Sequence, residues 1–157
     1  MKTIYLTIVC LIMPFVAFGQ NNTKVYKADG LYFTNEEQTE LYDGDFKEYY
    51  EEGTLKMEIF IKKGRPEGTY VVYFPNERIQ EIRSYKEGEL HGTWRTYSEL
   101  GVMLSHAEYV EGRKTGTWFI WNENGVKLYE MYYSEGKRVG NWRMWDNNGH
   151  LISEKEY

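Results

Sequence analysis

From residue 44 onward the apolar and polar positions of the chain recur with a single period. Short runs of aromatic and β-branched residues alternate with two kinds of polar break, and the unit repeats every 24 residues without insertion or deletion. Thr117-Trp118-Phe119-Ile120-Trp121 is one run and Asn122-Glu123-Asn124-Gly125 is the break after it. A second run covers residues 126–133, and Glu135-Gly136-Lys137 turns the chain back. Asn and Gly accept positive φ at little cost, so such breaks predict hairpins. Each unit therefore reads as one β-hairpin joined to the next by a tight turn, and five units make a meander of ten strands. At a strand spacing of ~4.8 Å the sheet spans about 45–50 Å. Glycine interrupts every candidate helical window, and no 3.6-residue apolar period survives.

With Gly44 as position zero, aromatic residues recur at fixed places. Position two is Phe46, Tyr70, Trp94, Trp118 and Trp142; position five is Tyr49, Tyr73, Tyr97, Trp121 and Trp145. Position 17 is Ile61, Tyr85, Tyr109, Tyr133 and Tyr157. Apart from Gly19 and Gly30, all of the 15 glycines fall in three registers. Gly44, Gly68, Gly92, Gly116 and Gly140 hold position zero, Gly53, Gly101, Gly125 and Gly149 position nine, and Gly64, Gly88, Gly112 and Gly136 position 20. All are read as structural turn glycines. In the second unit Glu77 takes position nine within Phe74-Pro75-Asn76-Glu77-Arg78, which predicts a locally altered loop.

The fold expected is all-β: an elongated antiparallel β-meander of about five 24-residue hairpin repeats, at 44–67, 68–91, 92–115, 116–139 and 140–157. Before it, residues 20–43 read as a degenerate N-terminal cap and connector. Tyr26 precedes Gly30 by the step that separates Tyr49 from Gly53, and Asn35 to Glu40 is a solvated stretch. Residues 1–19 have the anatomy of a cleavable signal peptide: Lys2, an apolar run from Ile4 to Phe18, then Ala17-Phe18-Gly19 before polar Gln20. The expected location is the periplasm or the medium beyond it.

Composition narrows the chemistry. Cys10, inside the apolar run, is the one cysteine, so the mature chain has neither a disulfide nor a thiolate nucleophile. Loss of residues 1–19 leaves 18 basic against 24 acidic residues. An acidic chain is a poor partner for nucleic acid. His91, His106 and His150 occupy different repeat positions, so no metal site is expected. Carboxylates such as Glu51-Glu52 and Glu87-Gly88-Glu89 flank turns, where solvated charge is ordinary. No Gly-x-Ser-x-Gly, phosphate loop or dinucleotide motif occurs, so no enzymatic activity and no cofactor are expected.

Gly92-Thr93-Trp94-Arg95-Thr96-Tyr97 through Gly101, then Tyr109 through Gly112 to Gly116, resembles the MORN-type repeat in its bacterial variant form. The resemblance covers residues 44–157. It implies a twisted antiparallel sheet with a shallow groove that serves protein association, with membrane contact proposed for some relatives. Several bacterial relatives resemble the antitoxin half of toxin–antitoxin pairs.

The aromatic columns are the strongest functional signal. Trp94, Trp118 and Trp142 are expected side by side, with Tyr97, Trp121 and Trp145 as a second column on the opposite face. A single-layer sheet leaves part of this area exposed, and large exposed patches mark interaction surfaces. The expected function is an exported repeat scaffold that binds a protein partner, or itself, through Trp94, Trp118, Trp121, Trp142 and Trp145, flanked by Tyr73, Tyr97, Tyr109 and Tyr133. Three readings stay beside it: glycan or cell-wall binding aided by Asn122, Asn124, Asn147 and Asn148, membrane-surface binding through Lys62-Lys63-Gly64-Arg65, Arg113-Lys114 and Lys137-Arg138, and an antitoxin- or immunity-like protein that neutralises a partner.

Overall fold

The computed structural model describes residues 17–18 and 24–157. The leader reading over residues 1–19 lies outside the described residues except at Ala17–Phe18. Three short strands come first: β1 (Ala17–Phe18), β2 (Lys24–Ala28) and β3 (Leu31–Phe33), ordered β1-β2-β3 in one sheet. The repeats follow as β4 (Gly44–Tyr49), β5 (Leu55–Lys62), β6 (Arg65–Tyr73), β7 (Ile79–Lys86) and β8 (Glu89–Tyr97). They continue as β9 (Met103–Val110), β10 (Arg113–Trp121), β11 (Lys127–Ser134), β12 (Lys137–Trp145) and β13 (Leu151–Glu156). Each strand pairs antiparallel with its chain neighbours, giving one 10-stranded sheet in sequence order. The described residues contain no helix, and the expected meander of hairpins is what forms.

Two turns alternate along it. The tight turns put both central residues at positive φ, as at Glu135 (48°) and Gly136 (81°), which matches the twist of the flanking strands. Asp29 (50°) and Gly30 (78°) close the β2–β3 hairpin the same way, so the cap is built like the repeats. The longer loops are closed by two backbone bonds. In the fourth unit Asn122 N–H donates to Val126 C=O at 3.0 Å, and Gly125 N–H to Asn122 C=O at 2.9 Å.

Two expectations about glycine are corrected. The Phe74–Arg78 loop is not altered: Phe74 N–H donates to Arg78 C=O at 2.8 Å, Glu77 N–H donates to Phe74 C=O at 2.9 Å, and Glu77 itself takes φ 62°. The backbone demand of the loop prevails over the residue type. The glycines at position zero are not turn residues either. Gly68, Gly92, Gly116 and Gly140 lie inside strands and Gly44 begins one, all at positive φ. Close to these glycines the register to the preceding strand shifts, as between Thr115 and Phe119 in β10. This is the geometry of a bulge, where an extra residue bends the strand and only glycine is unstrained.

The bend brings successive tight turns together. Gly88 N–H donates to Pro66 C=O, Gly112 to Leu90 and Gly136 to Lys114, all at 2.8–2.9 Å. Gly64 makes the same bond to Tyr42, which ties the cap to the array. The main core lies there. Val25, Tyr32 and Tyr42 close over Phe46, Met57, Ile59 and the fully buried Ile61. The cap thus supplies, for the first hairpins, the second layer that the rest of the sheet lacks.

Candidate functional site

Register assigns every side chain to one of two faces. Trp118 lies opposite Met131 and Gly116 opposite Tyr133, while Phe119 lies opposite Glu130 and Thr117 opposite Tyr132. Trp118 and Tyr133 therefore share one face, and Phe119 and Tyr132 the other. Trp121 joins Phe119, with ring centroids 5.4 Å apart. Positions two and five fall on opposite faces, as their spacing requires.

The column at position two is not a stack of tryptophans. Position-17 tyrosines come between them, giving Trp94, Tyr109, Trp118, Tyr133, Trp142 and Tyr157 in succession. Centroid separations along that run are 6.0, 5.1, 5.0, 5.1 and 4.9 Å. The reason is the position-zero glycine. Each such tyrosine lies directly across from one, as Tyr109 from Gly92 and Tyr133 from Gly116. With no Cβ beneath it, the ring leans between two indoles. Tilted and edge contacts of this kind add about 0.5–1.5 kcal/mol each beyond the area they bury. Trp118 Nε1 donates to Glu108 C=O at 3.2 Å and Thr115 C=O at 3.1 Å, and Trp142 Nε1 to Tyr132 C=O at 3.1 Å.

Cations seal this ladder. Arg83 sits 4.4 Å from the Trp94 ring centre, Lys114 lies 4.6 Å from Trp118 and 5.1 Å from Tyr133, and Arg138 lies 4.6 Å from Trp142 and 5.2 Å from Tyr157. Lys155 adds a contact at 4.6 Å to Tyr157. Each is worth about 0.5–1 kcal/mol at an exposed site. Sequence reasoning missed these residues as ring partners. The signal was present: Lys114 and Arg138 each precede a tryptophan by four residues. Lys114 and Arg138 thus cover rings on the ladder face.

The opposite face carries ion pairs. Glu130 is buried and accepts from Lys127, from Tyr132 at 2.5 Å and from Arg143 at 3.5 Å, while Arg143 reaches on to Glu154 at 3.0 Å. The Lys127 ammonium, then the Tyr132 hydroxyl, holds the Glu130 carboxyl below its ordinary range. Glu58 repeats the arrangement three units earlier, lowered mainly by the Tyr73 hydroxyl at 2.6 Å and then by Lys47. Lys127 also covers the Trp145 ring at 4.5 Å. Both networks join repeat to repeat.

The other candidates are dispersed. Among the partner-binding residues, Tyr109 is buried and Trp94, Trp118, Trp121, Trp142, Trp145, Tyr73, Tyr97 and Tyr133 are half-buried, none fully exposed. His106 meets Glu108 at 3.3 Å, His150 meets Asp146 at 3.2 Å, and His91 lies on β8. Asn122 uses its Oδ1 to accept from Asn124 and Val126 N–H and its Nδ2 to reach Asn147 Oδ1 at 3.3 Å, so it braces neighbouring loops. A depression of about 620 Å³ at the loop ends is lined by Phe74, Tyr97, Leu100 and Leu104 together with Glu81, Glu99 and Glu123. Glu81 is tied to Arg83 at 2.5 Å, and Glu99 and Glu123 sit on exposed loops. Among the described residues no helix is long and apolar enough to cross a membrane.

No curated protein matches the chain. A family model described as MORN repeat variant matches residues 42–63, 90–111, 114–137 and 138–157. These spans leave out residues 64–89, which hold Tyr70 in place of the position-two tryptophan and Glu77 in place of the position-nine glycine, although they fold as the same hairpin. The matches take in more than half of the chain, each opening about two residues before a position-zero glycine or at the tight turn ahead of it, and the protein therefore belongs to the MORN repeat variant family, whose repeats generally serve as protein- or membrane-interaction modules.

Proposed function

We propose that the protein is an exported scaffold that binds a protein partner, or a second copy of itself, through a face of its repeat sheet. One observation carries the reading: beyond the cap the sheet is a single layer in which every ladder ring except Tyr109 keeps part of its surface open. In the first hairpin this face is covered, with Phe46 3% and Ile59 4% accessible. Farther along, Ile120 is 37%, Tyr129 36% and Tyr157 42% accessible. Apolar area left open beside aromatic anchors is where association gains most free energy. Export rests on the leader-like residues 1–19 and is independent of the binding surface.

Trp118 and Trp121 lie on opposite faces, so single replacements separate them. Trp118→Ala and Trp121→Ala are compared with the native chain by cross-linking in the cell envelope and mass spectrometry. One variant, still folded by circular dichroism, is expected to lose a cross-linked protein that the other keeps. If both folded variants keep every cross-link, association through the sheet faces is wrong.

A further inference from the structure

We infer that the ladder face of β8–β13 docks an acidic, extended protein segment that carries apolar side chains. The inference rests on the interaction reading above and adds the face and the charge of the partner.

Charge is partitioned between the faces. Register sets Lys114, Arg138 and Lys155 on the ladder face of these strands, beside the ring ladder and the apolar residues Ile120, Tyr129 and Met144. Among the described residues that face of β8–β13 carries no carboxylate, in a chain with 24 acidic and 19 basic residues. Glu108, Glu130, Glu154 and Glu156 all fall on the opposite face. Lys114, Arg138 and Lys155 are exposed, and none has an ion-pair partner among the described residues. At its border Glu81 of β7 lies opposite Thr96 on the same face and is paired with Arg83, and Glu111 and Glu135 occupy the tight turns.

The cap indicates what kind of chain fits. Over β4–β7 this face is covered by the protein's own β2–β3 hairpin and Tyr42, which set Val25 and Tyr32 on Phe46, Ile59 and Ile61. Extended strands with apolar side chains, here a hairpin, therefore fit this face over β4–β7, a shape that a flat bilayer does not offer. Where the cap sits, position 22 holds Tyr42 and Pro66; past it, the position holds Leu90, Lys114 and Arg138. At that position cations stand only past the covered strands, at Lys114 and Arg138, whereas Arg83 of β7 on the same face is paired with Glu81. A partner there meets rings, an apolar row of Ile120, Tyr129 and Met144, and three unpaired positive charges, so complementarity demands acidic residues interleaved with apolar ones.

The test uses fluorescein-labelled peptides of alternating Glu and Val, Lys and Val, and Ser and Val, with anisotropy read at low and high salt. Phosphatidylglycerol vesicles form a separate arm. The Glu-Val peptide should bind at least tenfold tighter than the other two and weaken with salt. Lys114→Gln with Arg138→Gln, and separately Lys155→Gln, should each reduce that preference, while Lys137→Gln on the opposite face leaves it within about twofold. Thermal melts establish that each variant is folded. Equal affinity for all three peptides overturns the inference, as does cation-dependent binding confined to the vesicles. If the peptides fail to discriminate while Trp118→Ala still abolishes a native cross-link, the interaction reading stands and the charge assignment falls.

Discussion

Glu77 isolates what a single backbone position demands. It holds φ 62° where the equivalent Gly125 has 76°, and the two loops make the same hydrogen bonds. The left-handed region costs a non-glycine residue about 1–2 kcal/mol. Glycine returns part of that, about 0.5–1 kcal/mol, as extra freedom in the unfolded chain. Glu77→Gly should therefore stabilise the protein by about 0.5–1 kcal/mol and raise Tm by about 1–4 °C in a calorimetric scan. A lower Tm would mean that the Glu77 side chain makes a contact worth more than the strain. Gly125 and Gly149 were legible as turn residues because Asn and Asp precede them, and the period carries that reading to Gly53 and Gly101. Those at position zero were misread, because a bulge inside a strand and a turn between strands make the same request for positive φ, and sequence spacing does not distinguish them.

At the scale of elements, the cap hairpin and the sheet meet through tyrosines. Tyr32 packs edge-on to Phe46 at 4.9 Å and Tyr70 packs edge-on to Tyr85 at 6.1 Å. Burial pushes the Tyr32 and Tyr70 hydroxyls up to about 12, and burial followed by the bond to Glu58 does the same for Tyr73. A phenol in the unfolded chain ionises near 10. Between those values the folded protein keeps protons that the unfolded chain has released, so stability is intact below about pH 10 and falls as pH rises toward 12. Chemical denaturation at stepped pH should show that decline, with tyrosinate absorbance appearing together with unfolding. If Tyr32 and Tyr70 titrate near 10 with no loss of stability, the cap does not dock as described. Sequence alone identified residues 20–43 as a degenerate cap. It did not reveal that Tyr42 belongs to the core, because Tyr42 stands just outside the first repeat and only the bend at Gly44 turns it inward.

Across the whole molecule stability is graded. The cap end has a two-layer core, the middle has a ladder sealed by cations, and every residue of β13 is exposed. Repeat arrays exchange energy mainly between neighbours, so they open from their weakest end. Amide hydrogen exchange should be slowest in β5 and β6 and fastest in β13, with β12 next. Uniform protection from β5 to β13 would contradict a single-layer sheet beyond the cap. The same gradient bears on function, since the least protected half of the ladder face is the half assigned to a partner.

The 24-residue period by itself determined the hairpins, their number, their order in the sheet and the separation of positions two and five onto opposite faces. These are consequences of local turn chemistry and of the two-residue alternation of a strand, which act over a few residues and can be read from them. Only the tertiary structure decided that tyrosines would interleave with tryptophans, that Lys114 and Arg138 would lie over rings, and that the ladder face of β8–β13 would be left without carboxylates. Those outcomes depend on the bends at the position-zero glycines and on the register across strands, which bring together residues from different strands and successive repeats.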